Sequence, residues 1–408
     1  MQCRFCKESL SHVILDLGNA PPSHAFLSND QLNDPETFYP LKVFLCLKCF
    51  LVQVQDSLHA ENIYQQEYIY YSSFSSSRMT EASNFVEKVM GILQFTTQSQ
   101  VIEIGSNDGY LLQLFKDKLI PVLGIEPNEK IAEEAVKKGV DTLVEFFGSP
   151  LAIQLHDKGY TADLVVANNV ITKVGDLNDF VAGAKIILKP NGVITMEFPY
   201  LVKLIEGKQF DWISHDTFCY FTLNVIKKLF ASHGLDIFDV EEQSGQGCTL
   251  RVYGKHSDDS SRKVESSVEE LLKSELNKQV ELPDFYNLFQ DHALRMKVDF
   301  TAFLAELNRK NKKLAGYGAI SNTNTLLNYC GIKNDVLPYV VDSNPHKQNK
   351  WLPGSRIPVV NESFLKADKP QFVLILSCNT KDDIMKELSY ITEWGGQFVI
   401  PIPELRLI

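Results

Sequence analysis

Short apolar runs alternate with helical patterns along most of the chain. Between about residues 75 and 256, the segments VIEIG, PVLGIEP, ADLVVANNV and GVITMEF read as strands. DGYLLQLFKDKL and EKIAEEAVKKG, lying between them, place apolar residues at the three-to-four spacing of one helix face. Such alternation predicts a mostly parallel, doubly wound sheet, because parallel neighbours need a crossover that a helix supplies. The pattern returns after residue 313, where KLAGYGA, DVLPYVVD, FVLILSC and GQFVIPIP predict a second, smaller Rossmann-like unit. Residues 257–284 are polar, take helical spacing in their second half, and read as a linker helix. The first 72 residues follow neither period and are rich in turn formers. The expected organisation is an α/β chain with a small N-terminal metal-binding domain (1–72), a central Rossmann-like domain (73–256), the linker helix (257–284) and a smaller C-terminal Rossmann-like domain (285–408).

With 408 residues, the chain exceeds what one core accommodates, in keeping with several domains. A net charge of −11 speaks against a nucleic-acid partner, since phosphate binding needs clustered Lys and Arg. No basic-then-apolar leader opens MQCRFCKESL, and no run of about 18 apolar residues occurs, so no membrane partner and a cytoplasmic location are expected. Eight cysteines in such a chain do not suggest a disulfide framework. Cys3-Arg-Phe-Cys6 and Cys46-Leu-Lys-Cys49 are instead two knuckles able to aim four thiolates at one structural Zn²⁺, a closed shell without room for a catalytic water. Cys219, Cys248, Cys330 and Cys378 stand alone and read as small buried apolar residues.

VIEIGSNDG is the most informative segment. An apolar strand ends in Glu103-x-Gly105, turns through Asn107 and Asp108 to Gly109, and enters a helix. Glycine there admits a ligand close to the backbone, and the helix start favours an anionic group. Glu126 ends the next strand and suits a ribose diol. The spacing E-x-G-x-x-x-G differs from the dinucleotide G-x-G-x-x-G and favours S-adenosylmethionine, hence a class I methyltransferase domain. Asn168 and Asn169 fall at a strand end where the methyl group would lie, and Phe146 and Phe147 are placed either to flank adenine or to fill the core.

Taken together, the cysteine pairs, LDLGNAPPSHAFL, EYIYYSSFSSS, EIGSNDGYLL, GIEPN, GVITMEFPYL, TLRVYG, GYGA, VDSNPHKQ and PGSRIPV make the chain resemble the nucleotide-sugar C-methyltransferases. That resemblance implies a zinc-binding domain, a central methyltransferase domain, a C-terminal Rossmann-like domain, and a small-molecule sugar nucleotide bound near their junctions by a monomer or weak homo-oligomer. It also implies base-driven methylation of the carbon beside a ketone. Tyr68, Tyr70, Tyr71, Ser72 and Ser73 match the family's sugar-facing stretch, although a tyrosine-rich segment is as often packing. Glu197 lies in the matched GVITMEFPYL, and Tyr220 is placed to position the acceptor.

The chain departs from the family at polar positions. FDWISHDTFCYF stands where the family reads close to F-D-x-I-Y-H-E-H-F-S-Y-F, so Ser214, Asp216 and Thr217 replace tyrosine, glutamate and the second histidine, the usual candidate base. A threonine hydroxyl is far too weakly basic for that role. Lys173 and Gln246 each replace a histidine, and Asn322 and Thr323 stand where a lysine and glycine would meet phosphate. Three readings follow. A relocated base, His215 first and Asp216 second, restores C-methylation; or the acceptor is a hydroxyl or amine; or the scaffold binds ligands as a different sugar-modifying enzyme or a non-catalytic subunit. His215 and Asp216 as a surface turn, Lys173 as an exposed helix residue, and His24 and His346 as solvated loop residues are the plainer expectations beside these.

Overall fold

The computed structural model describes residues 1–64, 70–243 and 248–408. Its N-terminal block is a four-stranded antiparallel sheet in the order His12–Ala20, Tyr39–Leu45, Val52–Val54, Cys219–Tyr220. The last strand comes from far along the chain, with Val52 opposite Tyr220 and Gln53 opposite Cys219. This sheet has no core of its own. Leu15, Val43, Val52 and Val54 belong to one buried cluster with Phe289 and Phe300 of the helix Phe289–Arg309 and with Leu326 and Leu327 of the helix Ser321–Cys330. So small a block cannot bury enough apolar surface alone.

The central sheet has seven strands in the order Leu235–Gln243, Thr249–His256, Leu188–Pro199, Ala162–Asn168, Val101–Ile104, Val122–Ile125, Thr142–Leu143. The five from Leu188–Pro199 onward are parallel, and the first two form an antiparallel edge. Val101–Ile104 is apolar except for Glu103 and buried at every position, as a parallel strand covered on both faces must be. Helices start where the sequence supplies caps: Asn128 accepts from the Ile131 amide at 3.2 Å, and Asp176 from Asn178 and Asp179 at 3.0 and 3.1 Å. The segment read as a linker does contain a helix, Ser266–Asn277, but not a free spacer. Its Glu275 is buried and accepts from the Tyr200 hydroxyl at 2.8 Å and from the Leu223 and Asn224 amides at 2.6 and 2.9 Å, capping a neighbouring helix.

The C-terminal sheet runs Val359–Val360, Val340–Val341, Leu314–Tyr317, Phe372–Ile375, Gln397–Ile400, Arg406–Leu407, parallel except for the last strand. Its first helix, Ser321–Cys330, faces the other units with polar side chains. Asn322 donates to Asp211 Oδ2 at 3.1 Å, Thr325 Oγ1 to the Ile213 carbonyl at 2.6 Å, and Asn324 to the Pro21 carbonyl at 3.3 Å. Asn322, expected at a substrate phosphate, thus gives its side-chain nitrogen to an inter-unit contact. Asp211 is buried with Oδ1 lacking a partner among the described residues.

Burial, only partly offset by the Asn322 amide, pushes the Asp211 carboxyl up to about 6. Between the unfolded value near ~3.9 and the folded one, the native protein holds the extra proton, so this group's contribution to stability falls as pH rises through about 6. Asp211→Asn should remove that dependence. Urea unfolding should show its stability relative to wild type increasing by roughly 1–2 kcal/mol from pH 5 to pH 8, and a relative loss over the same range would refute the assignment.

Candidate active site and metal centre

The two cysteine knuckles are built alike. Each is closed by a residue with positive φ, Lys7 (60°) and Phe50 (66°). The Lys7 amide donates to the Cys3 carbonyl at 3.0 Å and the Phe50 amide to the Cys46 carbonyl at 2.8 Å. All four sulfurs lie within 4.8 Å of one another, with Cys3–Cys49 and Cys6–Cys46 separations of 3.5 Å. A tetrahedral zinc with bonds near ~2.3 Å separates its sulfurs by about 3.8 Å, so this set fits the ion. The cluster lies in one buried group with Cys219 and Phe218.

Next to it a cavity of about 350 Å³ opens between the N-terminal block and the carboxyl ends of the central strands. Gly105, Asn107, Glu126, Phe147, Asn168 and Asn169 line it, as do Tyr70, Ser72 and Lys173. Gly105 has φ +70°, and a Cβ there would fall 2.4 Å from Val170 Cγ2, so only glycine leaves this wall intact. Asn107, at φ 50°, organises the loop: its amide donates to Glu126 at 3.0 Å, its side-chain nitrogen to the Tyr70 carbonyl at 3.0 Å, and its oxygen accepts from the Ser72 amide at 2.8 Å. Glu126 also accepts from the Asn128 amide at 3.0 Å. Burial raises its pKa, while those two amides and Lys173 pull back. Phe147 meets Phe180 edge-on at 5.6 Å, both at the cavity wall.

Other expected residues are placed elsewhere. Glu103 lies beneath the loop, fully buried, and burial with Asp108 and Glu126 nearby pushes its carboxyl well above the usual range. Asp108 accepts from Lys138 Nζ at 2.9 Å and from Ser73 Oγ, which makes it a brace of the turn. Glu197 accepts from Arg251 at 2.5 Å and sits 3.8 Å from Arg78, so it backs a cation and does not line the cavity. His215, Asp216 and Tyr220 are all buried, against the surface-turn expectation, yet none lines the cavity. Tyr220 donates to the Trp212 carbonyl at 2.8 Å and accepts from the Ser214 amide at 3.3 Å, a structural use of its hydroxyl. His215 Nε2 lies 3.2 and 3.3 Å from the carbonyls of Tyr39 and Pro40. His346 is exposed, as expected, and stacks at 4.9 Å on Tyr71. Tyr68 and Gln246 lie outside the described residues.

Arg78 and Arg4 are among the cavity residues that the sequence did not single out. Arg78 sits in the first turn of the helix Ser76–Leu93, and Arg4 between Cys3 and Cys6. Arg4 donates to the Gly175 carbonyl and to Asp56, each at 2.9 Å, with its guanidinium 4.8 Å from the Phe218 ring centre. Arg4 Nε, Arg78 Nε and Asn168 Oδ1 are buried without partners among the described residues. Unpaired buried polar atoms are costly, so their convergence on one cavity suits a zwitterionic ligand carrying a carboxylate and an ammonium, with Glu126 available to a diol. S-adenosylmethionine has all three groups.

Family models cover the chain in three consecutive pieces: a zinc binding domain over residues 3–64, a methyltransferase domain over 76–240 and a C-methyltransferase C-terminal domain over 244–403. In that order the three pieces support a zinc-binding C-methyltransferase. Among curated proteins, the C-methyltransferase NovU of Streptomyces niveus is 28% identical over 407 residues, spanning 100% of this chain and 96% of that protein. Among solved structures, magnesium protoporphyrin IX methyltransferase of Synechocystis PCC 6803 with bound S-adenosylmethionine aligns at TM-score 0.37 and 13% identity, covering 50% of this chain and 100% of that one. An S-adenosylmethionine-dependent methyltransferase of Anabaena variabilis aligns at 0.36 and 14%, covering 44% and 86%. The protein is an S-adenosylmethionine-dependent methyltransferase with a four-cysteine zinc site. No helix among the described residues is long and apolar enough to cross a membrane.

The methyltransferase should carry about one zinc per chain, lost when Cys3→Ser and Cys46→Ser are combined. Because Arg4 is held by the knuckle and walls the cavity, calorimetry should find S-adenosylmethionine bound at least about tenfold more weakly after the metal is removed; unchanged affinity would separate the two sites. Arg78→Met should raise the Kd for S-adenosylmethionine by about 10–100-fold with zinc retained, the cost of a lost charge-assisted bond.

Proposed function

We propose that this methyltransferase transfers a methyl group to the carbon beside the keto group of a nucleotide-linked 4-keto deoxysugar. The observation that carries the reading is Lys173, a cavity-lining cation three residues beyond Val170, on the turn that follows Asn168 and Asn169. Lys173 is half-buried at the end of the short helix Ile171–Lys173; its Nζ lies 5.5 Å from the Tyr64 ring centre, and Tyr64 is itself a wall residue. An ammonium at that wall suits a substrate oxygen that becomes anionic during reaction, which a ketone oxygen does when the neighbouring carbon loses its proton. Similarity to a protein named a C-methyltransferase supports carbon as the acceptor.

S-adenosylmethionine supplies an electrophilic methyl group when bound. The chain's own part is to hold that group, to hold the ketone, and to remove a proton. Arg78 and Asn168 take the amino-acid end and Glu126 the ribose. Tyr70 and Ser72, fixed to the cofactor loop through Asn107, form the wall toward the sugar. Lys173 meets the ketone oxygen and stabilises the enolate. Excluding water from this wall strengthens each of those contacts.

Lys173→Met should lower kcat by about 10²–10³ while the Kd for S-adenosylmethionine stays within about threefold. Product analysis by NMR with a 4-keto-6-deoxy nucleoside diphosphate sugar should find a new carbon-bound methyl. Methyl on oxygen or nitrogen would replace this reading with the hydroxyl or amine acceptor, and cofactor binding without any transfer would replace it with a binding role.

A further inference from the structure

One rung of the central sheet carries polar side chains across four strands. Asn168 of Ala162–Asn168 is paired with Glu197 of Leu188–Pro199, Glu197 with Arg251 of Thr249–His256, and Arg251 with Glu241 of Leu235–Gln243. Residues paired in this way project from the same face of a sheet. The helix Ser76–Leu93 covers that face: the Arg251 guanidinium lies 4.5 Å from the Phe85 ring centre, Lys88 pairs with Glu241, and Arg78 Nη1 lies 3.8 Å from Glu197 Oε1. Charges therefore alternate from the sheet edge inward, in the order Lys88, Glu241, Arg251, Glu197, Arg78. Lys88 is exposed, while Arg251 and Glu197 are buried. Arg78 and Asn168 line the cavity, and the other members of the row do not.

The spacings along this row are unequal. Glu197 accepts from Arg251 Nη2 at 2.5 Å and from Thr249 Oγ1 at 3.4 Å, whereas Arg78 stands off at 3.8 Å, beyond hydrogen-bond reach. Arg251 is steered in turn by Glu241, 3.5 Å from its Nη1, a carboxylate that also accepts from Tyr253 at 2.9 Å and from Gln243 at 3.1 Å. A buried carboxylate closes on whichever cation can reach it, because an unpaired buried charge is costly. Glu197 has two guanidinium groups beside it and is committed to one. Arg78 keeps Nε buried without a partner among the described residues. Asn168, on the same rung, lines the same cavity with an Oδ1 that is likewise buried and unpartnered among the described residues.

We infer that Arg251, although outside the cavity, is a positioning residue of the donor site: by engaging Glu197 it keeps that carboxylate from closing on Arg78, and so leaves Arg78 to the carboxylate of S-adenosylmethionine. The inference rests on the reading above that Arg78 takes the amino-acid end of the donor. It gives the antiparallel edge of the sheet a part in choosing the ligand. With Glu197 neutralised by Arg251, this wall presents an uncommitted cation, and an anionic group is what fits it. Without Arg251, Glu197 and Arg78 become a pair that satisfies itself, and the ligand carboxylate must compete with a fixed one.

A pair of ligands separates this role from packing. S-adenosylhomocysteine carries the amino-acid end, and methylthioadenosine is the same nucleoside thioether without it. Calorimetry on the zinc-loaded full chain should find that Arg251→Gln raises the Kd for S-adenosylhomocysteine by about tenfold and leaves that for methylthioadenosine within about twofold, since glutamine keeps a donor to Glu197 but removes the charge that holds it. Arg251→Lys, which keeps the charge, should stay within about threefold of wild type for both ligands. Adding Glu197→Gln to Arg251→Gln removes the competing carboxylate and leaves neither position charged, so affinity for S-adenosylhomocysteine should return to within about threefold of wild type. In an Arg78→Met background, Arg251→Gln should move neither Kd by more than about twofold. Equal losses for the two ligands overturn the inference and mark a packing role, as does a double glutamine variant that binds no better than Arg251→Gln. Should Arg78→Met alone weaken both ligands equally, the placement of the amino-acid end at Arg78 fails instead.

Discussion

The antiparallel pairing of Cys219–Tyr220 with Val52–Val54 governs the rest of the molecule. Through it a segment of the central unit becomes the edge of the N-terminal sheet, whose other face is covered by the C-terminal helices. Cys219 is thereby buried with the metal-binding cysteines, and the Phe210–Phe221 segment is stretched between three units. None of the three can shift without breaking main-chain bonds or opening a shared core. Packing of that kind moves as discrete bodies and does not deform continuously.

A second theme is the treatment of charge around the cavity. Arg4 is backed by Asp56, Arg78 by Glu197, and Lys173 faces Glu126 and Asp216. Each cation has an anion near it, and both guanidinium groups keep a buried Nε without a partner among the described residues. Such backing is how a protein presents charge to a ligand with little reorganisation on binding. It also accounts for Glu197 of the matched GVITMEFPYL: its carboxylate accepts from Arg251 and lies 3.8 Å from Arg78, which lines the cavity.

The errors of sequence reasoning share one cause. The metal ligands were legible because each knuckle is local, and the cofactor turn was legible because strand, glycine turn and helix follow one another directly. Asp216, by contrast, is held by serines 193 and 105 positions away, and Glu275, in the segment read as a linker helix, is met by Tyr200 and two amides. Nothing local marks Arg4, inside a C-x-x-C spacing, or Arg78, in the first turn of its helix, as a cavity residue. His24 looked solvated because PPSH is a polar turn, yet that turn lies between the Asp216 segment and the C-terminal helix.

The chain's sequence by itself determined the four sulfur ligands, the donor-binding turn and the order of apolar strands, since each depends on contacts within a few residues or on a period of the chain. Only the tertiary structure decided which polar side chains are already satisfied. His215 and His24 are the same chemical group in two polar segments, and nothing local distinguishes them. Carbonyls of a distant strand lie against a nitrogen of one, while the other keeps Nδ1 unpaired among the described residues. Saturation of hydrogen bonds is a property of the folded neighbourhood, which no local stretch of sequence carries.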